Sequence, residues 1–181
     1  LITYIKNMML TDEEIEKLES EIDRLPEIVR RYRDALRQRH LMDFDDQMAY
    51  AYTILQKYPV VLNTFQERFP YICVDEAQDT SRIQHAIIKL LASKSENLFM
   101  VGDEDQSIYG FRAAGPDALL SFEADHPGAK ILLMEETSRS GEEIIAAANR
   151  FVSANRYRRE KAMIPTRGKA SPVHVIHAKT T

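Results

Sequence analysis

The sequence predicts an α/β fold, a parallel sheet with flanking helices, preceded by a helical segment. Two observations carry this. Short apolar runs at 71–74, 97–101, 130–134 and 172–176 alternate with stretches of helical character at 82–92, 116–124 and 141–153. Near-continuous apolar runs mark strands buried on both faces, and their alternation with helices marks a parallel sheet. The second observation is that the first three runs each end in a polar cluster. In parallel sheets ligands sit beyond the carboxyl ends of the strands.

The helical segment comes first. Thr11 followed by Glu14 reads as a capping box, and a charged helix is expected to follow to about Leu25, where Pro26 interrupts it. Ile28, Val29, Tyr32 and Leu36 then fall at helical spacing. The stretch from Glu27 to His40 is rich in arginine and reads as a solvated amphipathic face rather than a nucleic-acid contact. A third helix is expected from near Asp43 to about Lys57, with Phe44, Met48, Tyr52 and Leu55 as its inner stripe and Pro59 ending it. Asp43 suits the cap, and the acids after it favour the first turn, so no catalytic role falls to the Asp43-Phe44-Asp45-Asp46 segment.

The 181 residues suffice for one ordinary domain with a core, and 44% hydrophobic with 29% charged residues is a globular balance. No apolar run approaches the ~20 residues of a membrane span, and no signal peptide opens the chain. Leu1 is not an initiator methionine, which leads us to expect a processed product or an excised fragment. A single cysteine, Cys73, excludes an internal disulfide and fits a reducing compartment. With a formal net charge of −4, a nucleic-acid partner needs a local basic patch.

The run at 71–74 closes directly on Asp75 and Glu76. One strand-end carboxylate suits a hydrated Mg²⁺, which takes few protein ligands, and its neighbour suits the activation of a water that attacks a γ-phosphate. Gln78 and Asp79 are placed to relay the nucleotide state. A competing account makes Asp79, Thr80 or Ser81 a helix cap, and one of them is expected to be so. The second run ends in Gly102-Asp103-Glu104-Asp105-Gln106, followed by Tyr109, Phe111 and Arg112. Gln106 is neutral and bidentate, fit to sense a phosphate oxygen or the attacking water. Two aromatic faces and a guanidinium are parts of a stacking platform for single strands, although either ring can instead anchor the loop in the core. The third run leads to Arg139, a candidate γ-phosphate finger, whose bland alternative is an ion pair with Glu142 or Glu143. His174 and His177 sit at odd spacing and make no metal motif.

These clusters, in this order, resemble the UvrD/PcrA/Rep family of superfamily-one DNA helicases. The resemblance runs from Asp43-Phe44-Asp45-Asp46 through Val74-Asp75-Glu76-Ala77-Gln78-Asp79-Thr80. It continues through Val101-Gly102-Asp103-Glu104-Asp105-Gln106-Ser107-Ile108-Tyr109-Gly110-Phe111-Arg112 to Arg139-Ser140 and Ala148-Asn149. It implies a partial RecA-like (P-loop NTPase) sheet. Residues 1–40 would be the helical tail of an inserted subdomain, and 41–181 the later half of the first motor domain. It implies ATP and Mg²⁺ as cofactors, single-stranded and duplex DNA as partners, 3′-to-5′ movement, and a cytoplasmic, nucleoid-associated protein of bacterial type. By position, Asp75 serves the magnesium, Glu76 activates water, Gln106 and Arg139 contact the γ-phosphate, and Tyr109, Phe111 and Arg112 meet DNA.

The sequence departs from the family's pattern. No Gly-rich loop ending in Gly-Lys-Thr or Gly-Lys-Ser occurs, so the phosphate cradle is missing. The family's second motor domain, expected after about residue 178, is missing too. Ser138 stands where an adenine-stacking aromatic is usual, and Phe111 where tryptophan is common. The isolated chain is therefore expected to be inactive, and to self-associate or be marginally stable through uncovered sheet faces. Two other readings remain: a non-catalytic nucleic-acid-binding or interaction module, and a metal-dependent phosphohydrolase using Asp75, Glu76, Asp103 and Asp105.

Overall fold

A computed structural model describes residues 1–110 and 113–176. The chain divides into two compact units, Leu1–Leu119 and Leu120–Thr181. Mixed helix and strand with short parallel pairings is what the sequence leads one to expect, and both units have it.

In the first unit, α1 (Ile2–Asn7), α2 (Asp12–Glu16) and α3 (Leu25–Gln38) enclose a small core of Ile5, Ile15, Leu25 and Val29, backed by Leu10 and Leu18. The capping box forms as expected: Thr11 Oγ1 accepts from Glu14 N at 3.2 Å, and Glu14 Oε2 accepts from Thr11 N at 2.8 Å. The helix that follows does not reach residue 25. It stops at Glu16, because the stretch beyond is polar and exposed and offers little apolar face to bury. Pro26 does not interrupt a helix but opens α3, in the first turn where its missing N–H costs nothing. Within α3 the expected stripe is half right: Val29 is buried, whereas Ile28 is exposed.

Helix α4 (Phe44–Lys57) has the expected bounds. Its inner stripe is covered only at the far end, where Leu55 is buried. Phe44 is 86% exposed and Met48 is exposed, because polar contacts from Asp43, Asp45 and Asp46, rather than apolar packing, hold the first turn. Pro59 likewise starts an element, α5 (Pro59–Arg68), which the sequence reading passed over. Gln66 fastens α5 to α6 (Arg82–Ala92): its buried Nε2 donates to Leu90 O at 2.9 Å and to Ser93 Oγ at 3.1 Å.

Strands β1 (Ile72–Val74) and β2 (Leu98–Met100) pair in parallel, Ile72 with Leu98, Cys73 with Phe99 and Val74 with Met100. Helix α6 is the crossover between them, with the bounds that periodicity gives. Burial on both faces is not observed. Cys73 and Phe99 point to an open face, Phe99 being 60% exposed, because no layer of described residues covers that side.

The chain then forms α7 (Asp117–Leu120) and α8 (Phe122–Asp125), two short pieces where one helix is expected. In the second unit the run at 130–134 is not a strand; Leu132, Leu133 and Met134 are exposed and no ladder partner meets them among the described residues. The pairing lies further on, between β3 (Glu136–Thr137) and β4 (Ile164–Pro165), again parallel. The run at 172–176 also forms no strand. Helix α9 (Glu142–Val152) buries Ile145. Its Asn149 clamps Met163 on both backbone groups, donating to the carbonyl at 2.9 Å and accepting from the N–H at 3.0 Å.

Candidate functional site

Asp75 and Glu76 stand just beyond the carboxyl end of β1, both exposed. The backbone turns sharply there. Glu76 adopts the left-handed conformation (φ 49°, ψ 44°), rare for a residue with a Cβ and costing on the order of 1 kcal/mol. One turn of 3₁₀ helix follows at Ala77–Asp79. Ala77 is fully buried, and its N–H donates to Val101 O at 2.9 Å, tying this turn to the end of β2. Asp75 Oδ1 accepts from Glu76 N at 2.9 Å, and Glu76 Oε2 accepts from Gln78 Nε2 at 2.7 Å. No Lys, Arg or His pairs with either carboxylate among the described residues.

The end of β2 supplies the facing wall. A Cβ on Gly102 would lie 2.7 Å from both Gln78 Oε1 and Leu119 Cδ1, so any larger residue must displace these two side-chain ends. Asp103 caps the next turn, Glu104–Gln106. Its Oδ1 accepts from Asp105 N at 3.2 Å, and its Oδ2 accepts from Gln106 Nε2 at 2.7 Å. Gln106 is exposed and Tyr109 is 39% exposed, while Phe111 and Arg112 lie outside the described residues.

Arg139 belongs to the second unit. It follows β3 and is exposed. The ion pair with Glu142 or Glu143 does not form among the described residues; Glu143 instead accepts from Ala170 N at 2.9 Å. The helix cap behind the acidic cluster is Ser81, whose N–H donates to Gln84 Oε1 at 2.8 Å. Thr80 Oγ1 pairs with His85 Nε2.

Sequence reasoning missed a polar clasp behind this site. Lys6, its side chain only 7% exposed, places Nζ 2.6 Å from both Asp43 Oδ2 and Asp46 Oδ1, and Tyr32 donates to Asp43 Oδ2 at 2.7 Å. Burial pushes the Asp43 carboxyl up, but the hydrogen bonds from Lys6, Tyr32 and Asp46 N outweigh it and hold it at about 2. Burial pulls Lys6 down; the two carboxylates more than offset this, and its pKa is raised. Next to it, Asn7 Nδ2 donates to Asp45 Oδ1 at 3.0 Å, and Ser81 Oγ donates to Asn7 Oδ1 at 3.1 Å. The clasp thus joins the start of α4 to the start of α6. The signal for it was a lysine beside the apolar Ile5 together with three acids lacking a local cation.

Two exposed, unpaired carboxylates at a strand end fit a hydrated hard cation, since Mg²⁺ prefers oxygen ligands and keeps several waters. Asp75, Glu76, Asp103 and Asp105 do not converge as a metal-pair hydrolase requires. No group of three or more His, Cys, Asp or Glu side chains able to share an ion occurs among the described residues.

An acidic pair thus ends one of two parallel strands, and a glutamine-bearing loop follows the other. In comparison with known proteins, the UvrD/REP helicase N-terminal domain model matches residues 1–127, and the chain belongs to that family. It is similar to the ATP-dependent DNA helicase PcrA of Staphylococcus epidermidis, 35% identical over 181 residues, covering 99% of this chain and 25% of that protein. The PcrA helicase of Staphylococcus aureus is 40% identical over 149 residues, covering 82% of this chain and 20% of that protein. The chain spans about a quarter of the length of the curated relatives it matches. No helix of the described residues is long and apolar enough to cross a membrane.

Proposed function

We propose that this chain is part of an ATP-dependent DNA helicase or translocase that couples ATP hydrolysis to 3′-to-5′ movement on single-stranded DNA. On this reading residues 41–181 are the later half of a first RecA-like motor domain, and 1–40 the tail of its inserted helical subdomain. The observation that carries the proposal is the pair Asp75 and Glu76, exposed and unpaired by any described cation, at the mouth of β1 beside the Gln106 loop. The family membership and the printed activity of the PcrA relatives support it.

Asp75 would hold the hydrated magnesium that accompanies ATP; the ion supplies screening of the phosphate charge. Glu76 would accept the proton of the attacking water. Gln106 and Arg139 would donate to the γ-phosphate oxygens, and Tyr109 with Phe111 and Arg112 would meet unpaired bases. The protein would be cytoplasmic and nucleoid-associated.

In the complete gene product, Glu76→Gln is expected to lower ATP turnover by ~10²–10³-fold while ATP and DNA binding persist. Unchanged turnover overturns the proposal. The 181-residue chain contains no Gly-Lys-Thr or Gly-Lys-Ser run to cradle phosphates, so by itself it should show no ATPase. Turnover that disappears in Glu76→Gln would refute that expectation. Ser138 also favours a second reading, a non-catalytic DNA-binding or interaction module. An in-frame Gly-rich loop in the DNA upstream of Leu1 decides for the helicase, and a start codon at Leu1 for the module.

A further inference from the structure

We infer that Gln78 is the positioning residue that couples the water-activating carboxylate to the phosphate-sensing loop; the inference rests on the roles proposed above for Glu76 and Gln106. Gln78 is 2% exposed, and both ends of its amide are used. Nε2 donates to Glu76 Oε2 at 2.7 Å, and Oε1 accepts from Asp103 N at 3.0 Å. Asp103 Oδ2 in turn accepts from Gln106 Nε2 at 2.7 Å. A continuous path therefore runs Glu76, Gln78, Asp103, Gln106 across the mouths of two adjacent parallel strands. Its two ends are exposed, Gln78 is buried and Asp103 is half-buried.

The chemistry permits only a glutamine in the middle. A carboxylate only accepts and a backbone N–H only donates, so the amide has one orientation that satisfies both partners. Glutamate there would face Glu76 with a second negative charge. Lysine or arginine would leave Asp103 N without an acceptor, and asparagine is shorter by a methylene. A buried amide that loses one partner keeps the cost of its desolvation, so the path resists partial breakage.

The surroundings fix the path in place. Gly102 leaves room for Gln78 Oε1 where a Cβ would sit 2.7 Å away. Ser107 Oγ donates to Gln78 O at 3.4 Å, and Ala77 N is held by Val101 O. A displacement of Gln106 reaches Glu76 through Asp103, whose carboxylate holds Gln106 Nε2 and whose backbone N–H holds Gln78 Oε1. Glu76 sits in a left-handed conformation whose carboxylate is aimed by the Gln78 amide alone among the described residues.

The test uses the complete gene product with Mg·ATP and single-stranded DNA. Gln78→Met keeps the size and removes both hydrogen bonds. Gln78→Glu keeps the acceptor for Asp103 and removes the donor to Glu76. Both are expected to lower kcat by about tenfold or more, the scale of one lost hydrogen bond to a charged group, with the KM for ATP within about twofold of wild type. Turnover is expressed per active site titrated with DNA, so that a loss of folded protein does not enter. In a double-mutant cycle, Gln106→Ala should cost at least about threefold less in the Gln78→Met background than in wild type. If Gln78→Met fails to fold, Gln78→Glu carries the same test in a near-isosteric side chain. An unchanged kcat, or losses that multiply independently in the cycle, overturns the coupling role. If Glu76→Gln leaves turnover intact, the proposed site fails; if it abolishes turnover while Gln78→Met leaves kcat and the cycle untouched, only the relay fails.

Discussion

Two acidic clusters in one compact unit meet opposite fates. Asp43 and Asp46 are neutralised by a nearly buried Lys6, by Tyr32 and by the capping hydrogen bonds of their own helix. Asp75 and Glu76 stand in solvent, bonded among the described residues only to a neighbouring N–H and a glutamine amide. The first cluster spends its charge on holding helices together; the second keeps its charge available for a cation. Acids in a sequence do not reveal which kind they are. Their partners do, and the partner of Asp43 lies 37 residues away.

The sharpest way to break this contrast is to treat the clusters alike. In the complete protein Glu76→Gln should cut turnover at least ~10²-fold, whereas Asp43→Asn should leave turnover per folded molecule within about threefold, measured by steady-state ATPase against titrated sites; a comparable loss from both abolishes the distinction. Lys6→Met leaves two half-buried carboxylates facing each other and should destabilise this chain by about 3 kcal/mol in urea unfolding, while removal of a charge at Asp75 by Asp75→Asn should change stability by less than about 0.5 kcal/mol.

The pH dependence should separate them next. The Asp43 pKa falls from 3.8 to about 2 on folding. A depressed carboxyl gives stability that is present above the unfolded value and lost as pH falls through the folded one. About 2 kcal/mol should therefore disappear between pH about 4 and 2, and Asp43→Asn should flatten that limb. A Cβ at Gly102 meets Gln78 Oε1, Leu119 Cδ1 and the Ala77 backbone, so Gly102→Ala should cost about 1–3 kcal/mol. Smallest of all, Phe44→Ser should shift stability by less than about 0.5 kcal/mol, since this side chain is 86% exposed; a larger loss in the monomer would mean that the start of α4 is held by apolar packing after all. The open face of Phe99 and Cys73 is also where self-association of this chain should occur; a sharply monomeric sedimentation profile would count against that.

Several features were legible without coordinates. The bounds of α4 and α6 follow from capping types and apolar period, and the parallel pairing of 72–74 with 98–100 follows from two apolar runs with a helix between them. The runs at 130–134 and 172–176 misled, because apolar content marks a capacity for burial while a strand exists only where a ladder partner arrives, and here the partners are 136–137 and 164–165. Pro26 read as a break and proved to be a beginning, and Pro59, which does follow the end of α4, also opens α5, since a proline's missing N–H rules out helix interiors but not first turns.

By itself the sequence determined which residue types stand at the strand ends, and with them the acidic pair, the glutamine loop and the family resemblance. These are local in the chain, where spacing is informative. Only the tertiary structure decided that Lys6 silences Asp43 and Asp46, that Gln78 bridges Glu76 to Asp103, and that Gly102 is small because an amide passes over it. Each joins atoms from separate elements, and a hydrogen bond of about 3 Å between residues distant in sequence leaves no period or motif by which to read it.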